Sequence, residues 1–142
     1  MTLTLVGRIQ TRIFLLATVG VIWTLMVVPI LPRSGTSLGS VYGTTLLTLL
    51  VAGVVGVAWE LLYHFIQQYR WEKDWPILFG LLLGIPEGVV AYGILRAVLD
   101  PASGPLTFIL HFCTTWVLVW MVAVGPFRVV LLRWRFNGGR IV

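Results

Sequence analysis

Four long apolar runs divide the chain, at residues 13–31, 41–66, 76–99 and 106–124. Short polar stretches join them: PRSGTSLGS, QQYRWEKD and DPASGP. Each run supplies about the 20 residues an α-helix needs to cross about 30 Å of hydrocarbon. The strict alternation of a transmembrane barrel strand is missing. The pattern predicts an all-α polytopic membrane protein, a four-helix transmembrane bundle forming one integral membrane domain over 1–142. Beyond the fourth run, Gly125–Pro126 is a pair that ends or kinks a helix. The basic tail 126–142 mixes arginines with Phe127, Trp134 and Phe136. It is expected to be interfacial, apolar side down, with Arg128, Arg133 and Arg135 toward lipid phosphate. A fourth helix that simply runs on is the alternative.

Composition narrows the class further. The chain is 58% hydrophobic and 11% charged, against about 25% charged in soluble domains. A mean hydropathy of +0.97 excludes a water-soluble fold. The net charge of +5 points to anionic lipid headgroups, not nucleic acid, because the basic residues cluster at the ends of the apolar runs. Placing both termini in the cytoplasm puts Arg8, Arg12, Arg70, Lys73, Arg128, Arg133, Arg135 and Arg140 inside. Only Arg33 and, at a helix end, Arg96 are left outside. That excess predicts an N-in, C-in orientation. Asp74 is expected to cap the third helix, with Pro76 in its first turn. Lys73 is the sole lysine, a bias that fits a GC-rich bacterial genome and hence a bacterial plasma membrane. The first run is expected to be retained, since its apolar core exceeds the roughly 7–15 residues of a cleaved signal peptide. The single cysteine, Cys113, excludes an internal disulfide and a cysteine-based zinc site.

Candidate chemistry lies inside the runs. Ala52, Gly56, Glu60, His64 and Gln68 are spaced by four, so they share one helix face. Gly80, Gly84, Gly88, Tyr92 and Arg96 repeat the spacing in the third run. Rows of small residues allow backbones to approach closely. Gly56 is therefore expected to face Gly80, Gly84 and Gly88, or the latter row to meet a second copy of itself. Glu87 borders the glycine face. An ionised side chain at mid-membrane costs about 2.5–3.5 kcal/mol on insertion scales, so Glu87 is expected to face protein as a neutral carboxyl. Pro86 frees the carbonyl of Leu82, which that carboxyl or a water could satisfy. Glu60 and Glu87 fall at similar depth, roughly 10–17 Å in at 1.5 Å per residue. With His64 one turn below Glu60, these three make the expected intramembrane polar cluster. It would act as a hydrogen-bonded latch or, alternatively, as a proton or cation relay. Arg96 is expected to snorkel to the headgroups. His111 is expected to bond a neighbouring helix, and Trp116 and Trp120 to pack.

Function follows mainly by exclusion. H-E-x-x-H, G-x-S-x-G and P-loop motifs are all missing. SGTSLGS has no plausible base beside it, so no catalytic residue is expected. A metal would need Glu60, His64 and Glu87 to converge around an open position; no metal or cofactor is expected. Four helices with a buried glutamate resemble the small multidrug exporters in outline. That family carries its essential acid in the first helix, where this chain has none. The leading expectation is an accessory or assembly subunit, bound to another membrane protein or to copies of itself. A proton- or cation-coupled transporter using Glu60 and Glu87 is the alternative.

Overall fold

The computed structural model of the chain describes residues 4–33, 35–69, 77–99 and 104–141. It is all-helical among these residues, and four helices are long and apolar enough to cross a membrane. They are Leu5–Ile30, Leu38–Gln67, Ile77–Val98 and Pro105–Val130. The expected Asp74 cap and Pro76 start lie outside the described residues. Successive helices run antiparallel, so Thr4 and the tail meet at one end of the bundle.

The first helix starts at Leu5 rather than at residue 13, because Thr4 caps it: its hydroxyl accepts from the Gly7 amide at 3.2 Å. Arg8 and Arg12 are therefore helical, on one face, and not in a preceding segment. A wide π turn at Leu16–Gly20 interrupts the α-helix. In an unbroken α-helix, residues 12 and 24 would point about 120° apart. The extra residue in a π turn takes up most of that angle. Arg12 and Thr24 can then both reach into the bundle.

The surface differs from that of a soluble bundle. Large apolar side chains such as Ile22, Met26, Leu50, Val54, Ile85 and Val98 are exposed. Beside apolar residues such as Leu15, Val28, Val41, Ala91 and Leu95, the interior holds Thr11, Thr24, Thr45, Thr48, Thr107, Thr115, Glu87 and His111. Many hydroxyls satisfy themselves locally: Thr45 donates to the Val41 carbonyl at 2.8 Å and Thr48 to Thr44 at 2.9 Å. A surface this apolar is compatible with a multi-pass membrane protein.

At Gly125 the backbone leaves the helical region (φ −99°, ψ −99°), and Pro126 opens a short helix, Pro126–Val130, followed by Leu132–Phe136. This tail folds back onto the first helix. Phe127 and Trp134 are buried in one cluster with Leu15, so these aromatics face protein and not lipid as expected. Trp134 Nε1 donates to Thr11 Oγ1 at 2.8 Å, and the Ile141 amide donates to Gln10 Oε1 at 3.0 Å. Gly138 and Gly139 turn the chain with φ of 64° and 83°, a region other residues rarely enter. The Gly138 carbonyl accepts from the Thr4 amide at 2.9 Å. Gly7 permits this approach: a Cβ there would lie 2.7 Å from the Gly139 carbonyl carbon. Arg133 and Arg140 stay exposed and Arg128 is half-buried; the Arg135 side chain lies outside the description.

Candidate functional site

Three helices deliver charge to one place. Arg12, from the first helix, donates through Nη2 to Glu60 Oε1 at 3.2 Å and through Nη1 to Glu87 Oε1. Glu60 belongs to the second helix and Glu87 to the third. Arg8, one turn from Arg12, places Nε 3.2 Å from Glu60 Oε2 and donates through Nη1 to Gln67 Oε1 at 3.3 Å. Two arginines thus balance two glutamates. Glu87 is 0% exposed and the other three charged side chains are between 12% and 15% exposed. In such surroundings a pair is only weakly screened, and the planar guanidinium fork suits two carboxylates at once.

Packing holds the fork in place. Gly56 sits against Arg12: a Cβ there would lie 2.8 Å from Arg12 Cδ. On its other side the guanidinium carbon lies 5.3 Å from the centroid of the Trp116 ring, a cation–π contact. Gly56 therefore makes room for an arginine. The atoms nearest a Cβ on Gly56 all belong to Arg12, so an arginine comes between it and the expected glycine row, although the second and third helices pack together.

That row has a different partner. Gly80, Gly84 and Gly88 face Trp120, Trp116 and Phe112 of the fourth helix, themselves spaced by four. A Cβ on Gly88 would lie 2.7 Å from Phe112 Cε1. One aromatic ridge fills one glycine groove. One indole, that of Trp116, also repairs the third helix, which breaks at Leu83 ahead of Pro86. Trp116 Nε1 donates to the Leu81 carbonyl at 3.1 Å, and Trp120 Nε1 to Ile77 at 3.2 Å. Glu87, adjacent in sequence to Gly88, turns instead to Arg12. Its Oε1 accepts from Arg12 and its Oε2 has no hydrogen-bond partner among the described residues, so the Leu82 carbonyl is not its partner.

His64 is exposed, and none of the bonds joining the four charged residues involves it. Its position one turn beyond Glu60 carries it past the buried layer. Arg8 and Arg12 take the place sequence reasoning had reserved for it. Their spacing of four, beside two acids lacking partners, was the available signal. At another level, His111 is 0% exposed, with Nε2 2.8 Å from Thr24 Oγ1. Since the Thr24 hydroxyl donates to the Gly20 carbonyl at 2.8 Å, the ring donates through Nε2. Among the described residues no group of three or more His, Cys, Asp or Glu side chains could hold a metal ion. Comparison of the chain with protein families, with curated proteins and with solved structures finds no match.

Proposed function

We propose that this chain is a non-catalytic accessory or assembly subunit of a larger membrane complex, with its buried charges acting as a latch between helices. The observation that carries the reading is the position of Arg12 across Glu60 and Glu87. A relay needs a carboxylate free to exchange protons or cations along a path. Here the interior charges balance one another, and breaking either pair would leave an uncompensated charge. The setting is a bacterial plasma membrane with both termini cytoplasmic. Even with Arg8 and Arg12 committed to the interior, the end carrying the termini keeps Arg128, Arg133 and Arg140 beside its anionic lipids, against Arg33 and Arg96 opposite. Exposed Arg133 would reach lipid phosphate, and Arg128 and Arg135 are assigned the same role.

Purification of the native protein in mild detergent tests the subunit role. A stable, stoichiometric partner chain is expected. A clean homodimer that carries protons or cations into vesicles would overturn it. Orientation is checked in a Cys113→Ser background, with outside labelling expected at Ser37→Cys and not at Gln68→Cys or Asn137→Cys. One observation favours the transporter alternative: Glu87 Oε2 and Trp59 Nε1 are buried without a hydrogen-bond partner among the described residues. Glu87→Gln separates the two readings. It keeps an acceptor for Arg12 but cannot exchange a proton, so a latch survives it and a proton path does not.

A further inference from the structure

Beside the seam of the third and fourth helices lies an apolar groove of about 600 Å3. Gly84, Gly88, Tyr92, Phe108, Phe112 and Cys113 are among its lining residues. We propose that this groove holds one acyl chain of a phospholipid whose phosphate sits on Arg96. The inference rests on the membrane location proposed above and not on the subunit role.

Its volume is within the range of about 300–1,000 Å3 typical of small-molecule sites. The side chains along it offer almost nothing to hydrogen-bond, since only aromatic, aliphatic, glycine, proline and thiol groups line it. A ligand there must be hydrocarbon over that length. From Leu81 to Tyr92 the groove follows about 16 Å of helix at 1.5 Å per residue, a length suited to an extended fatty chain. Gly84 and Gly88 let Trp116 and Phe112 sit close against the third helix, and the groove runs along that seam. The end of the groove carries the opposite chemistry. Arg96 is one helical turn beyond Tyr92 on the same face, and its guanidinium carbon lies 5.8 Å from the Tyr92 ring centroid. Tyr92 in turn packs on Phe108 with centroids 4.9 Å apart. A long apolar slot with one cation at its mouth complements an amphiphile with an anionic head.

The chain carries its own reporter, because Cys113 is exposed, lines the groove and is the sole cysteine. The full-length protein is stripped of lipid in detergent and titrated with phosphatidylglycerol, or with diacylglycerol of the same chains. Native mass spectrometry reads binding and the rate of thiol modification reads occupancy. Phosphatidylglycerol is expected to form a one-to-one adduct and to slow modification of Cys113. Arg96→Gln should weaken phosphatidylglycerol about fivefold, the order expected for one basic residue at a lipid surface, and leave diacylglycerol unchanged. Val89→Trp, at an exposed position on the groove, should weaken both. Equal phosphatidylglycerol binding by the wild type and Arg96→Gln would overturn the proposal. So would an unchanged Cys113 rate with lipid, or protection that grows with protein concentration and not with lipid, which would assign the groove to a second copy. Failure of the membrane location itself would look different, as a protein that stays soluble without detergent.

Discussion

Replacing Arg12 with Met removes the charge at the centre of the bundle while keeping an unbranched side chain against Gly56 and Trp116. Among the described residues, the carboxylate of Glu87, with no exposed surface, would lose its ion-pair partner, and Glu60 would keep Arg8 alone. Breaking a buried pair by deleting one partner typically costs about 3–5 kcal/mol. Glu87→Gln should cost less, about 1.5–3 kcal/mol, the worth of a hydrogen bond to a charged group, because the amide oxygen can still accept from Arg12. Glu87→Leu should approach the cost of Arg12→Met. Neutralising one pair together, as Arg12→Met with Glu87→Gln, gives a variant neutral at that pair that leaves Arg8 on Glu60 and no unpaired carboxylate, and it should recover much of the loss. Unfolding of each variant in mild detergent, followed by helical circular dichroism against a denaturing detergent, gives the ordering. If Arg12→Met unfolded at the wild-type midpoint, or if the neutral variant were the least stable of all, the latch would be wrong.

Gly84→Leu drives a side chain into the Trp116 indole and displaces its bond to the Leu81 carbonyl. Overpacking of this kind costs about 1–3 kcal/mol, so a lower melting temperature with a red-shifted tryptophan emission is expected, and unchanged values would count against the ridge. Gly7→Leu meets backbone atoms of Gly138 and Gly139, which cannot retreat as a side chain can. It should release the tail, seen as faster proteolysis after residue 126 while the four-helix part remains resistant.

The four long helices were legible because each is an apolar run of about the 20 residues that a membrane-length helix needs. Their pairing was legible in part: the second and third helices do pack together and bring Glu60 and Glu87 to one place, but a period of four says which residues share a face and not which face they meet. Gly80, Gly84 and Gly88 were found as a row, yet the matching row of Phe112, Trp116 and Trp120 carries no small residue and so went unread as its complement. Hydropathy also set the first helix too short. Arg8 and Arg12 lower the local average, although their side chains are paired and Thr4 supplies a cap upstream. The tail misled for a similar reason. Arginines interleaved with aromatics describe an interfacial strip, whereas the Leu15 cluster and the close approach at Gly7 show that protein takes up part of that apolar side.

The helices are joined by contacts of three kinds, and this bears on why a bundle with so apolar a surface would bury charge at all. Lipid tails are as apolar as leucine, so hydrophobicity cannot choose between helix faces, and packing and polar contacts must. Arg12 ties the first helix to the second and third through carboxylates. The third meets the fourth through glycines against aromatics. The fourth returns to the first through Thr24 and His111 at one level, through Trp23 donating to Thr114 at 3.1 Å, and through the tail at the terminal end. A wrong pairing would leave a guanidinium, a carboxylate or an imidazole without its complement in a medium that supplies none. The pairs need contribute little net stability to do this, since a well-packed apolar substitute could be as stable. Their effect is on the alternatives, which they raise in free energy by more than they lower the native arrangement.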